Sequence, residues 1–228
     1  FLKHSKGQWA GEEVILEPWQ QFILWCVFGW KRPDGTRRFR SVYEEVARKN
    51  GKSTKLAGIG LYMLVADGEA GAEIYSAATK RDQAKIMWVE AARMAKKSPG
   101  LDRLLDIFGD RNPKATACSI SVAATGSKYE PLGRDADSMD GLNVHCALID
   151  ELHAHKTRDM VDILDTATGS RRQPLIWMIT TAGFNRQTVC YETNDYAKRV
   201  LIGTEQDDSF FGIIFTLDEE DDWEDEGT

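Results

Sequence analysis

A turn bearing Gly-Lys-Ser between an apolar strand and an amphipathic helix restricts the fold of this chain more than any other feature. The turn is Val46-Ala47-Arg48-Lys49-Asn50-Gly51-Lys52-Ser53-Thr54. Arg40 to Ala47 reads as a strand, and Lys52 to Ala66 places apolar residues at helical spacing with Gly51 at its mouth. Strand, glycine turn and helix make the opening unit of an open α/β sheet. In such a turn successive backbone N–H groups form an anion nest, the lysine reaches the β/γ-phosphates of a nucleotide, and the next hydroxyl ligates magnesium. Lys52 and Ser53 fall in those two positions, with Arg48, Lys49, Asn50, Gly51 and Thr54 completing a candidate nucleotide-binding loop.

The general pattern G-x-x-x-x-G-K-[ST] has a glycine where this chain has Val46, and Gly-Lys-Ser also occurs in ordinary surface turns. A second motif decides between the two. Val144-His145-Cys146-Ala147-Leu148-Ile149-Asp150-Glu151 is an apolar run closed by two carboxylates, as expected of a buried parallel strand ending where open sheets place their ligands. Asp150 is expected to hold through water the magnesium that Ser53 ligates, and Glu151 to orient and deprotonate an attacking water. The competing explanation is a helix cap, because acidic residues are common just before a first helical turn. A cap requires no upstream phosphate loop, whereas triphosphate hydrolysis requires both motifs.

Composition sets the remaining bounds. A chain of 228 residues with 42% hydrophobic content can bury one sizeable core, so one large domain is expected. Cys26, Cys118, Cys146 and Cys190 form no C-x-x-C pair, which argues for reduced thiols and against a zinc site. No apolar run approaches the roughly 20 residues of a membrane span. The net charge of −7 is unevenly spread. From Thr204 to Thr228 there are 11 acidic residues and no Lys or Arg, leaving 29 basic against 25 acidic residues and a net +4 over residues 1–203. Asp218 to Glu226 is a like-charge block typical of linkers and tails, so the division expected is a domain over 1–203 followed by a last strand and acidic tail over 204–228. A body at +4 permits contact with nucleic acid without requiring it.

Periodicity gives alternating elements. A helix near Pro18 to Phe28 precedes the phosphate-loop strand and helix. Then follow strand Glu73 to Ala78, helix Lys80 to Lys97, a short helix around Leu101 to Phe108, and strands Ser119 to Ala124 and Val144 to Ile149. Helix Arg158 to Thr168, strand Leu175 to Thr180, helix Val189 to Leu201 and strand Phe210 to Phe215 complete the series. This order predicts a mostly parallel sheet with helices on both faces.

With both motifs placed, the chain resembles the ATPase half of the large terminase subunit of tailed bacteriophages, the motor that drives DNA into a preformed capsid. The matching residues are Trp9-Ala10-Gly11, Leu16-Glu17-Pro18-Trp19-Gln20, Ala47 to Ser53, Gly141-Leu142-Asn143, Leu148 to His155 and Thr180-Thr181-Ala182-Gly183. In that family the missing first glycine is ordinary. The resemblance implies a P-loop NTPase of the additional-strand, catalytic-glutamate type, acting on ATP with Mg2+. It implies that Gln20, rather than its neighbour Gln21, reads adenine through its amide, and that Thr180, Thr181 and Ala182 couple loss of the γ-phosphate to motion. It also implies double-stranded viral DNA, a portal protein and a small terminase subunit as partners, self-association into a ring expected to be a pentamer, and the host cell cytoplasm as location. Family members continue into a nuclease domain for which no counterpart fits here, so the chain is expected to be a fragment.

A guanidinium is needed to relieve charge on a transferring phosphoryl group, in cis or from a neighbouring subunit. Arg48 is the cis candidate. Arg134, in the polar loop Gly133 to Gly141, is the trans candidate, with Arg81 and Arg158 as rivals. Lys80 and Arg81 could also meet DNA phosphate, or simply open a helix. His153 and His155 are expected to make supporting contacts and not to share a metal. Two other classes share parts of this pattern: a helicase of the same ATPase superfamily, which needs a second motor domain, and a weakly hydrolysing nucleotide-dependent assembly protein.

Overall fold

Buried, near-continuous apolar strands need both faces covered, and the chain meets this with helices on either side of one eight-stranded sheet. The computed structural model describes residues 2–112, 115, 117–133, 141–183 and 187–217. In chain order the strands are β1 (Ser41–Glu45), β2 (Glu73–Ala78), β3 (Asp106–Phe108), β4 (Ser119–Val122), β5 (Ser127–Gly133), β6 (Val144–Ile149), β7 (Leu175–Thr180) and β8 (Phe210–Ile214). The helices are α1 (Pro18–Leu24), α2 (Lys52–Val65), α3 (Arg81–Lys97), α4 (Pro99–Leu104), α5 (Asp159–Thr166) and α6 (Val189–Leu201). Across the sheet the order is β3-β4-β5-β2-β6-β7-β1-β8. The six strands from β5 to β8 run parallel, and β4, antiparallel to both β3 and β5, is the one strand that runs against the rest of the sheet.

Alternation along each strand divides the core in two. Val42, Cys146, Leu148, Leu175, Trp177 and Ile179 face a cluster completed by α1, α2 and α3. Tyr43, Ala147, Ile149, Ile176 and Met178 face the other, under α5 and α6. On the first face α2 lies so close to the sheet that a β-carbon at Gly60 would stand 2.8 Å from the Tyr129 ring. At the amino-terminal edge of the sheet Arg37, Asp67 and His145 are buried together, with bidentate Arg37–Asp67 bonds of 2.6 and 3.2 Å and His145 Nε2 2.9 Å from the same carboxylate.

Periodicity alone misses β5 and misassigns part of the short helix before β3. The helix stops at Leu104, and Asp106–Phe108 instead pairs with β4 as an edge strand. A hairpin joins β4 to β5 through Gly126, whose φ of 67° is left-handed. Pro131 and the alternating charges Lys128 and Glu130 speak against a strand there. The fold accommodates the proline because Lys128 N–H donates to Ala72 O at 2.8 Å toward β2. Two-residue alternation then turns the Pro131 nitrogen the other way, past Tyr129, where the pairing with β4 has ended. The first helix is also shorter than the pattern suggests, since Trp25–Gly29 continues it as a π-helical turn. The strand β8 pairs along the whole of β1 and is part of the sheet, while the acidic block Asp218 to Glu226 lies outside the described residues.

Among the described residues no helix is long and apolar enough to cross a membrane. The four cysteines are unpaired and buried.

Candidate nucleotide site

The carboxyl ends of β1, β7 and β6 stand side by side, with β7 inserted as an additional strand between the phosphate-loop strand and the acidic one. Val46 follows β1 and is buried, its N–H bonded to Thr180 O at 3.0 Å. Nothing requires a left-handed backbone there, which is the physical reason a β-branched residue can replace glycine. The left-handed positions come later, at Lys49 (φ 68°) and Gly51 (φ 70°). A residue with a β-carbon in that conformation costs roughly 1–2 kcal/mol, and Lys49 accepts this cost.

Lys52 opens α2 and is buried, its ammonium 3.3 and 3.4 Å from the carbonyls of Ala47 and Val46. Ser53 Oγ donates to Asp150 Oδ2 at 3.1 Å. Lys52, Ser53, Asp150 and Glu151, which lie far apart in sequence, are thus gathered in one place. Burial of Asp150 raises its carboxyl above the ordinary carboxylate range, the nearby Glu151 charge adds to this, and the Ser53 hydroxyl and Lys52 oppose it. Glu151 N–H donates to Asp150 Oδ1 at 2.9 Å, and Glu151 itself is left-handed with φ 52°, so the two adjacent carboxylates point in different directions. Strained backbone of this kind concentrates at functional sites.

Two cavities flank the loop. One, of about 390 Å³, is lined by Lys6, Arg48, Lys49, Gly51 to Thr54, Glu151 and His153. The other, of about 680 Å³, is lined by Trp9, Leu16, Trp19, Gln20, Asn50, Gly51 and Thr54 among others. They share Lys49, Gly51 and Thr54 and so adjoin at the loop, one end of the cleft cationic and the other aromatic, where Trp9 and Trp19 stand with Glu12, Glu13 and Glu17. A polyphosphate suits the first and a planar base the second.

Gln20, buried rather than solvated, lines the aromatic end. Its Nε2 donates to Asn50 O at 3.2 Å and its Oε1 accepts from Glu17 N–H at 3.1 Å, tying α1 to the loop. Gln21 points elsewhere, to Leu16 O at 2.7 Å. Trp19 packs edge-on against Phe215, centroids 5.1 Å apart, with the Lys55 ammonium 5.1 Å from its ring. Lys55 forms a fully buried ion pair with Glu44, whose other oxygen accepts from Trp177 Nε1 at 3.2 Å. This pair joins β1 to α2 across the loop, and nothing in the sequence announces it, because an acidic and a basic residue eleven positions apart carry no local signal.

Thr180 is buried, and its hydroxyl donates to Thr181 O at 2.8 Å. Thr181 is half-buried and Ala182 exposed. Arg48 is exposed and lines the cationic end. Arg134 lies outside the described residues. Arg158 bonds Asp162 at 3.3 Å and Glu192 at 3.1 Å on the opposite face, while Arg81 opens α3; neither lines the cleft. His155 is buried, while His153 lines the cationic end. Lys6 escapes sequence reasoning, since nothing near it marks it as close to the loop; it sits 3.6 Å from Glu90 of α3.

Residues 18–199 match the family model described as terminase large subunit, ATPase domain. The chain belongs to that family. It is 28% identical to the large terminase subunit of Enterobacteria phage HK97 over 189 residues, 81% of this chain and 35% of that protein. It is 46% identical to protein YmfN of Escherichia coli K12 over 86 residues, 38% of this chain and 19% of that one. Among solved structures, the HK97 large terminase superposes with a TM-score of 0.79 at 24% identity, covering 97% of this chain and 43% of the other. The large terminase of a thermophilic bacteriophage, solved in complex with ATP-gamma-S, gives 0.58 at 11% identity over 89% of this chain and 45% of that one. The chain thus spans less than half the length of these relatives, and the fold is the one that such terminases share.

Proposed function

We propose that this chain hydrolyses ATP and is the motor part of a machine that translocates double-stranded viral DNA into a procapsid. The observation that carries the reading is the 3.1 Å contact between Ser53 of the phosphate loop and Asp150 of the acidic strand, with Glu151 and Lys52 on one cavity wall. The thermophilic-phage relative, solved in complex with ADP and with ATP-gamma-S, supports a nucleotide as the ligand.

In this reading Lys52 and the inward N–H groups of residues 48–54 bind the β/γ-phosphates, and Gln20 and Trp19 bound the base. A hydroxyl beside a desolvated carboxylate is an all-oxygen pair that fits magnesium, which keeps most of its waters and takes few protein ligands. Ser53 and Asp150 would hold the ion, which when bound supplies neutralisation of phosphate charge. Glu151 orients the water and takes its proton. Arg48 contributes charge from the same chain and Arg134 from a neighbouring subunit. Thr180, Thr181 and Ala182 pass phosphate release to the loop before α6. Portal protein and small terminase subunit are the partners proposed, with a ring, of five copies in this reading, assembled in the host cytoplasm.

Replacing Glu151 by Gln keeps size and hydrogen bonding while removing the base. The expected result is loss of steady-state turnover by a factor of about 10² or more with nucleotide binding intact. Turnover within a few-fold of the unaltered protein would refute the assignment of Glu151.

A further inference from the structure

The hydroxyl of Thr180 has more donors than it can serve. It has one hydrogen, given to Thr181 O at 2.8 Å, and two lone pairs. His153 N–H at 3.2 Å and Cys190 Sγ at 3.8 Å donate to those lone pairs, and His153 Nδ1 stands 3.0 Å from the same oxygen. With the Thr180 hydrogen directed to Thr181 O, the tautomer that satisfies this contact is the one in which Nδ1 carries the ring hydrogen. The same nitrogen is 3.4 Å from Thr181 Oγ1 and 3.2 Å from Glu151 Oε2. That Glu151 oxygen is turned out of solvent and has no hydrogen bond of its own. One N–H therefore stands between the carboxylate on β6 and the two threonines that end β7.

We infer that His153 is a positioning residue that shares its single Nδ1–H between Glu151 and Thr180. When Glu151 turns toward the attacking water it releases the N–H, which then falls wholly to Thr180. When Glu151 turns back, the N–H follows it and the Thr180 hydroxyl is left to the His153 backbone and Cys190, on α6. The state of the base is thereby read by the strand end that leads to α6. This inference rests on the proposal that Glu151 is the general base.

The test compares steady-state ATP hydrolysis in His153→Ala, His153→Asn, Thr180→Val and Glu151→Gln. His153→Ala is expected to lower kcat about 10–100-fold, as loss of a group orienting a catalytic one does, with KM for ATP unchanged within about twofold. His153→Asn, which presents an amide N–H near the position of Nδ1, is expected to recover most of that loss. The double variant His153→Ala/Thr180→Val is expected to lose no more than the worse single variant, because both break the same link. Equal losses in the Ala and Asn variants, or losses that multiply in the double variant, overturn the inference. Should His153→Ala fail to fold, His153→Leu fills the ring volume without a donor and takes its place against Asn. The two readings separate cleanly: turnover retained in Glu151→Gln removes the general base, whereas an inactive Glu151→Gln beside a fully active His153→Ala removes the relay alone.

Discussion

Asp150 ends a strand whose six residues are all buried, so its carboxylate is taken out of water before any ligand reaches it. Its weakened acidity has a definite sign for stability. The folded protein binds the Asp150 proton more tightly than the unfolded chain does, so stability falls as pH rises from the unfolded value through the folded one, and stays lowered at neutral pH. Asp150→Asn is therefore expected to raise the melting temperature of the nucleotide-free protein and to flatten that pH dependence. The same substitution is expected to reduce magnesium-dependent turnover by a factor of about 10² or more, because a preorganised charge at the phosphates is lost. Thermal melts between pH 4 and 8, with ATPase assays alongside, check both outcomes; a destabilised and fully active variant would contradict the placement. The same tension explains why two adjacent carboxylates divide their work. Asp150 is fixed by Ser53 and by the next backbone N–H, while Glu151 is half-exposed and turned toward the cavity.

The phosphate loop is held by what flanks it. Glu44 at the end of β1 and Lys55 in the first turns of α2 make their ion pair under Trp19 and Trp177, and Gln20 bonds the loop backbone from α1. Burial pushes the Lys55 ammonium below its usual range, opposed by the Glu44 charge. Removing one partner leaves an uncompensated buried charge, so Lys55→Ala is expected to cost about 3–5 kcal/mol. The Glu44→Leu/Lys55→Met pair, apolar on both sides, is expected to cost much less. Urea titrations of the three proteins measure this, and a double variant that loses clearly more than Lys55→Ala alone would show that the charges do not interact. The hairpin β4–β5 carries the opposite lesson about legibility. Its proline and charges conceal a strand that forms because β2 offers a free parallel edge, something no local pattern records.

At the scale of the whole molecule, the cleft displays Arg48 and Lys49 at its mouth, with no further arginine lining it among the described residues. If Arg134 supplies the second guanidinium from a neighbour, the motor is complete only as an assembly. Arg134→Ala is then expected to lower turnover by a factor of roughly 10³. Mixing it with the inactive Glu151→Gln protein is expected to restore part of the activity, because some interfaces then pair an intact Glu151 with an intact arginine. ATPase measured across mixing ratios decides this, and strictly proportional dilution with no recovery would place the arginine in cis or elsewhere.

The sequence by itself determined the alternation of strands and helices, the two-sided parallel sheet, the phosphate loop and the acidic pair. All of these are written in local periodicity and in short spacings of residues whose chemistry is nearly unique. It also carried enough of the family pattern to identify the class despite Val46. Only the tertiary structure decided that Ser53 and Asp150 meet, that Gln20 rather than Gln21 faces the cleft, that Glu44 and Lys55 brace the loop, and that His153 stands between Glu151 and Thr180. These are contacts between segments distant along the chain. They arise from strand order and from the twist that brings three strand ends together, and no spacing in one dimension encodes them.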